Sequence, residues 1–335
     1  MDLEYLTDVL RCSACGAAYA VSADRLSCSS CDRCFVVVDG IPVLLDDSTT
    51  GTALDDIADY SAYMGIDESV ILQAGRQWKR VIDGLGYTPG NALEIGSGSG
   101  ALTLGLLAEG VVQRLTATDV SLKFLRSLTS QVARYSTPVT FIACDANTPH
   151  FRPEAFDLVV GRSVLHHLLD YEQTIAHCHS VLKPGGAAVF YEPVLEGQTI
   201  TTLFMALMLR SDEMTNGGQF SEEDRKHIRG LIRNQMKSTF LQDRESLSKV
   251  EDKYIFEIDK MKRVGLDAGF TDVAFLNDPR GFGYWGYISH ACKVVGVAPE
   301  TIRPFRWIEE VFSETYGVIF PEKLVTPAGY FVFRR

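Results

Sequence analysis

No stretch of this chain is apolar for long enough to cross a bilayer. The most apolar helical candidate, Ile200 to Leu209, is about half the length a span needs. Positive charge is also scarce: 32 lysines and arginines stand against 43 aspartates and glutamates, a formal net charge of −11. A shortage of cations disfavours a broad nucleic-acid-coating face, although a local basic groove stays open. The first residues carry Asp2, Glu4 and Asp8 where a signal or transit peptide would carry cations. A cytoplasmic, reducing compartment is therefore expected, where cysteines read as metal ligands or plain thiols before disulfides. Hydrophobic residues (46%) and charged residues (22%) are close to the globular average, so wholesale disorder is excluded. A length of 335 residues suits about two domains.

Five of the eight cysteines lie between residues 12 and 34. Cys12 and Cys15 form one C-x2-C pair, and Cys28 and Cys31 form another. Two such pairs can turn four thiolates toward one tetrahedral Zn²⁺. A segment this short buries too little core to fold alone, so the metal would supply much of its folding energy. Cys34 is surplus and offers Cys31 an alternative partner. The pair Cys28 and Cys31 is preferred, because Leu26 and Phe35 then flank the site as strand residues. Cys34 is expected to be a buried thiol.

The motifs Cys12-Ser-Ala-Cys15, Leu26-Ser-Cys28-Ser-Ser-Cys31 and Asp39-Gly40-Ile41-Pro42-Val43-Leu44-Leu45 resemble the Trm112-like zinc-ribbon family. The resemblance departs at Val37, where that family usually has proline. It implies a structural zinc module that binds, or is fused to, a methyltransferase. The first 60 residues hold three basic and eleven acidic side chains, a poor surface for an RNA backbone. Asp46 to Thr52 reads as an exposed linker.

Behind the ribbon the pattern changes. Val70, Ala74, Trp78, Val81, Ile82 and Leu85 recur at helical spacing. Short apolar strands follow at Ala92–Ile95, Arg114–Thr118, Val139–Ala143, Phe156–Val160 and Ala187–Tyr191, with helical stretches between them. Asp170 and Gln173 have the spacing of a capping box. Alternation of this kind predicts an α/β, Rossmann-like, doubly wound parallel sheet, with ligands at the carboxyl ends of the strands.

The first strand ends in Gly96-Ser97-Gly98-Ser99-Gly100, a turn at which backbone can approach a ligand closely. Gly96, Gly98 and Ala101 also pass as a dinucleotide fingerprint, with Asp119 where a ribose-binding acid belongs. Charge separates the two ligands. A dinucleotide would bring two phosphates up against Glu94. S-adenosylmethionine brings a sulfonium, an ammonium and a carboxylate, and acidic neighbours suit that cation better. Asp119 can accept both ribose hydroxyls, Asp145 can accept from the adenine amino group, and the loop amides can meet the carboxylate.

This set resembles the class I S-adenosylmethionine-dependent methyltransferases. The residues that carry it are Leu93-Glu94-Ile95-Gly96-Ser97-Gly98-Ser99-Gly100, Thr118-Asp119-Val120-Ser121, Cys144-Asp145-Ala146, Phe156-Asp157-Leu158-Val159-Val160, Leu165-His166-His167-Leu168 and Leu182-Lys183-Pro184-Gly185-Gly186. The resemblance implies a seven-stranded sheet with an antiparallel last strand, closed here by Thr271–Leu276 and Gly329–Arg335. It implies cofactor contacts from Glu94, Gly96, Ser97, Gly98, Gly100, Asp119, Val120, Asp145, Ala146 and Ser163, with Tyr60 and Tyr63 closing over the cofactor. It places His166 and His167 near the reactive methyl, as candidate general bases beside Glu192 at the end of the fifth strand.

The expected organisation is a zinc ribbon at 1–46, a linker with N-terminal helices at 47–89, and the methyltransferase domain at 90–335, with insertions at 194–256 and 277–327. The second insertion holds Phe282, Tyr284, Trp285, Tyr287, Phe305, Trp307, Phe312 and Tyr316. These aromatics read either as walls for a partly apolar acceptor or as a subdomain core or homodimer contact. No Asn-Pro-Pro-aromatic motif and no Pro-Cys nucleophile follows the fourth strand, which disfavours amino-nucleobase and pyrimidine C5 chemistry. The leading expectation is a methyltransferase acting on oxygen or nitrogen of a small molecule, a natural product or modified sugar. The competing readings are a ribosomal RNA guanine methyltransferase and a cofactor-binding scaffold that activates a partner enzyme.

Overall fold

The computed structural model describes residues 2–45, 67–148, 150–215, 218–240, 243–278, 283–319 and 325–335. The chain divides into two compact units, one of Met1–Phe190, Arg263–Ala274 and Val332–Arg335, the other of Tyr191–Lys262 and Phe275–Phe331.

The first unit begins with helix α1 (Leu3–Val9), capped by the Asp2 carboxylate on the Tyr5 amide. Strands β1 (Tyr19–Val21), β2 (Arg25–Cys28), β3 (Cys34–Val38) and β4 (Ile41–Leu44) follow. Asp39 and Gly40 join β3 to β4 with φ of 54° and 79°, the two left-handed residues of a tight hairpin turn. Then come α2 (Glu68–Asp83), β5 (Ala92–Ile95), α3 (Ala101–Glu109), β6 (Leu115–Asp119), α4 (Leu122–Val132), β7 (Val139–Cys144), β8 (Phe156–Arg162), α5 (Tyr171–Val181) and β9 (Leu182–Pro193). Asp170 precedes α5, but its carboxylate makes no cap: its ψ of 46° departs from the extended geometry that aims a side chain at the first-turn amides. The capping-box expectation is corrected there.

The sheet has eleven strands in the order β1-β2-β3-β4-β7-β6-β5-β8-β9-β11-β10, where β10 is Asp272–Asn277 and β11 is Ala328–Arg334. The expected count of seven is corrected. The seven anticipated strands run from β7 to β10 in that order, and the ribbon adds four more. The join is parallel pairing of Val43 with Ala143 and of Leu44 with Cys144. Without it, the β7 edge would present unpaired backbone groups. Ile41 is 2% exposed and shares a core with Leu104, Ala117, Leu125, Leu128 and Phe141. Burying such a side chain contributes about 2 kcal/mol. Further ties are the Tyr5 hydroxyl to Asn91 at 2.7 Å, the Arg152 guanidinium to the Leu10 carbonyl at 3.0 Å and the Arg114–Asp2 ion pair at 2.9 Å.

In the second unit the two expected insertions fold together. Helices α6 (Leu195–Met214), α7 (Glu222–Phe240) and α8 (Arg244–Ser248) come from the first. After α9 (Ile258–Asp267), the second supplies α10 (Gly283–Val294), α11 (Pro299–Ile302) and α12 (Trp307–Ile319). Their shared core includes Phe204, Met208, Phe220, Tyr284, Ile288 and Phe305, with Phe312 packed against it. Phe220 stacks on Phe305 at 4.9 Å, and Phe204 meets Phe312 edge-on at 5.2 Å. Tyr284, Phe305 and Phe312 thus serve as a subdomain core, one of the two readings left open above. Asp212 and Arg225 form an ion pair inside this unit, and Asp212 also accepts from the Gln219 amide at 2.9 Å. Phe282 lies outside the described residues.

Candidate active site

Four parallel strand tips lie side by side. The register pairs Ile95 with Thr118, Asp119 with Ala143, and Ile95 with Gly161. From β5 the chain winds outward through β6 and β7, then returns to β8 on the other side of β5. That reversal is a switch point, where the loops after neighbouring strands leave a crevice for a ligand.

The glycine loop after β5 borders the crevice. Gly96, Gly98 and Gly100 have φ of 68°, 49° and 93°, values that L side chains rarely adopt. A Cβ on Gly96 would stand 2.5 Å from Val164, and one on Gly100 would strike Leu128. A Cβ on Gly98 would meet nothing within 4 Å. Two glycines therefore serve close packing, and Gly98 exposes bare backbone to open space. The Asp119 carboxylate holds this loop: Oδ2 accepts from the Gly98 amide and Oδ1 from the Ser121 amide, each at 2.8 Å. A carboxylate has about four lone-pair sites, so these two amide bonds by themselves do not fill it. Asp145 is buried, and Asn147 donates to its Oδ1 from the backbone at 2.8 Å and from the side-chain amide at 3.0 Å. Val120 and Ala146, each beside one of these acids, are half-buried.

Glu94 departs from the simple picture of a negative cradle. It is 1% exposed; the Thr103 hydroxyl donates to Oε2 at 2.7 Å, while Oε1 has no hydrogen-bond partner. Burial pushes its carboxyl up to about 8, against the opposing Thr103 hydroxyl and with help from the negative Asp119. In the ligand-free protein Glu94 is therefore mostly uncharged at neutral pH. Folding lifts this group from 4.5 to about 8, so the folded chain holds the proton more tightly than the unfolded one. Its contribution to stability is full at low pH and is lost as pH rises through about 8. Thermal melts of ligand-free wild type and Glu94→Gln should diverge as pH rises from about 4.5 to about 8, with wild type falling behind, and run parallel above that range. Parallel curves within that range would contradict the assignment. Ser97 Oγ is a second buried polar atom in this loop without a hydrogen-bond partner. Orphaned polar atoms and the open side of Gly98 together fit a polar ligand seated at the loop.

Ser163, just past β8, is exposed with φ of 53°. Such a left-handed non-glycine residue costs of order 1 kcal/mol and tends to mark a functional turn. The short helix Leu165–His167 follows. His166 is buried, His167 half-buried, and their rings lie 4.0 Å apart. Glu192 is fully buried near the end of β9. Tyr60 and Tyr63 lie outside the described residues.

The ribbon brings its four cysteines together. Cys12 lies 3.6 Å from Cys31, and Cys15 lies 3.4 Å from Cys28 and 3.7 Å from Cys31. All four sulfurs fall within 4.8 Å of one another. Tetrahedral zinc with Zn–S near 2.3 Å sets sulfurs about 3.8 Å apart, so the donor set fits that ion. Burial raises the Cys12 thiol, but the Cys15 and Ala14 amides and the neighbouring thiols lower it to about 6. At Cys31 the Arg33 amide lowers the thiol, and the Cys28 thiol, burial and the other two cysteines drive it up to about 12. Metal binding at neutral pH would therefore displace protons. Leu26 and Phe35 are cross-strand partners, whereas Cys34 is exposed and not the buried thiol expected, because its side chain leaves the strand on the face opposite Phe35 and sits 3.6 Å from the Ser27 hydroxyl.

Thr103 and Asn147 are partners that sequence reasoning missed. Thr103 is the one polar side chain in the helix Ala101–Glu109 before its last residue, and an isolated polar residue in so apolar a helix could have marked it.

Residues 93–190, from β5 through most of β9, match the family model described as "Methyltransferase domain". Those residues therefore form a methyltransferase-type domain within the chain. It is similar to the polyketide synthase component of lovastatin nonaketide synthase from Aspergillus terreus, 36% identical over 112 residues, which cover 32% of this chain and 4% of the relative. It is also similar to a polyketide synthase-nonribosomal peptide synthetase from Aspergillus clavatus, 37% identical over 113 residues, which cover 32% of this chain and 3% of the relative. The chain thus matches only a small fraction of the length of these curated relatives. Among solved structures it is similar to trans-methyltransferase CalH in complex with SAH, with a TM-score of 0.47 and 15% identity over 80% of this chain and 58% of that one. Among the described residues, no helix is long and apolar enough to cross a membrane.

Proposed function

We propose that this enzyme methylates an oxygen or nitrogen of a small-molecule acceptor, a natural product or modified sugar. The observation that carries the donor half is the Asp119 carboxylate pinning the Gly98 amide at 2.8 Å beside open space. An acid placed there suits ribose hydroxyls, and the methyltransferase match over residues 93–190 favours S-adenosylmethionine over a dinucleotide, whose ribose the same acid would also suit. The bound donor supplies an activated methyl on a good leaving group. The protein's part is alignment, exclusion of water and, where the acceptor needs it, removal of a proton.

In this reading Asp119 and Val120 hold the ribose side, Asp145 and Ala146 the adenine side, and Gly96, Ser97, Gly98, Gly100 and Ser163 the remainder. His166, His167 and Glu192 are the candidate bases. His167 is the more accessible histidine, since His166 is 8% exposed. His167→Ala is expected to lower kcat about a hundredfold with KM for the donor unchanged, the usual scale of general-base loss. Initial-rate measurements would check this, and an unaltered kcat would remove His167 from the role.

A carbon acceptor of polyketide type is the second reading, supported by the 36% identity to a polyketide synthase. The ribosomal RNA reading has less support, given the net charge of −11. Product analysis by mass spectrometry after incubation with S-adenosylmethionine and an acceptor panel tests the proposal. Methylation confined to ribosomal RNA, with tight and salt-sensitive filter binding, would replace it. A structural zinc ion held by Cys12, Cys15, Cys28 and Cys31 completes the reading.

A further inference from the structure

The buried acid beneath the glycine loop has no evident purpose in an empty protein. Glu94 stands in the middle of the sheet, beside Ala117 of β6 and Val160 of β8, neither of which carries charge. From α3 it receives the Thr103 hydroxyl on one oxygen, at 2.7 Å. The other oxygen is buried without a hydrogen-bond partner. Asp119, at the tip of β6, is the charged group that acts on it, and the effect is repulsive. An ionised Glu94 would be a second negative charge shut away from water, which is costly unless a cation answers it.

We infer that Glu94 is a proton-linked positioning residue: it is held as the neutral acid in the empty site and gives up its proton to solvent when the cationic donor binds. This rests on the donor reading above and extends it. S-adenosylmethionine carries one net positive charge, from a sulfonium, an ammonium and a carboxylate. Its arrival supplies the cation that an ionised Glu94 lacks. The demethylated product, S-adenosylhomocysteine, has no sulfonium and no net charge, so it supports ionisation less well. Glu94 then tells donor from spent product by charge, and product release is assisted as the carboxyl takes its proton back. The balance is simple: one O–H bond breaks on binding, the proton goes to buffer, and the reverse occurs on release.

Calorimetric titration of the full zinc-loaded chain with S-adenosylmethionine, in phosphate and in Tris at pH 7, reads the number of protons released. With the carboxyl near 8, roughly nine in ten empty molecules carry the proton at that pH. Wild type is therefore expected to release close to one proton more than Glu94→Gln, which shares every titration of the ligand itself. S-adenosylhomocysteine should release clearly less. Thr103→Val keeps the carboxyl but removes the donated hydroxyl, so its proton is held more firmly and release persists to higher pH than in wild type. Equal proton release by wild type and Glu94→Gln, or a Thr103→Val profile identical to wild type, overturns this inference while leaving the donor reading in place. Failure of wild type to bind the donor overturns both.

Discussion

Replacing Asp119 by alanine should weaken S-adenosylmethionine binding by about a hundredfold, on the order of 3 kcal/mol. Two effects add. The ribose hydroxyls lose a charged acceptor, and such hydrogen bonds contribute about 1.5–3 kcal/mol each. The Gly98 and Ser121 amides, each 2.8 Å from the carboxylate, also lose their partner, so the glycine loop is no longer held in register for the ligand. Because of that second effect the melting temperature should fall as well, by an amount corresponding to about 1–2 kcal/mol. Asp119→Asn keeps one acceptor oxygen and should lie between wild type and alanine on both measures. Equilibrium titration with the donor, alongside thermal melts of each variant, would check this. Unchanged affinity in Asp119→Ala would remove the ribose role.

For Cys12→Ser the expected result is loss of bound zinc and loosening well beyond the ribbon. Cys12 is 1% exposed and its sulfur lies 3.6 Å from Cys31, so the site cannot re-form around a displaced ligand. In a free-standing ribbon the damage would end there. Here β4 is paired with β7, and Ile41 sits in the same core as Leu104 and Phe141. Loss of the metal should therefore weaken an edge of the methyltransferase sheet. Metal analysis should find about one zinc per wild-type chain and far less in the variant. Hydrogen exchange should quicken in β7 as well as in β1 to β3. Full zinc occupancy in Cys12→Ser would sink the ligand assignment. Zinc loss with β7 still protected would show that the strand pairing stands without the metal.

Much of the methyltransferase-like domain was legible in the sequence. The strands β5 to β9, the glycine turn and the acids at the strand tips are local patterns, each set within a few residues by apolar runs, turn formers and spacing. The final strand pair was also placed to within a residue or two, because Val273 and Phe331 to Phe333 belong to short apolar runs flanked by turns. The four-cysteine cluster was legible as a spacing pattern, but the attachment of its strands to the sheet was not. Nothing in Ile41-Pro42-Val43-Leu44 says which distant strand it will pair with, and the count of seven strands failed for that reason. The aromatics of the second insertion carried two readings until Phe305 was found stacked on Phe220, a residue 85 positions away.

Short-range chemistry in the chain marked the ligand site, with glycines that free the backbone and an acid some twenty residues on, features that a dinucleotide site shares. The charge state of Glu94 depended on long-range packing instead. An acid is an anion by default, and it becomes a neutral one only when strands β6 and β8 and helix α3 close around it and remove the water that would solvate its charge.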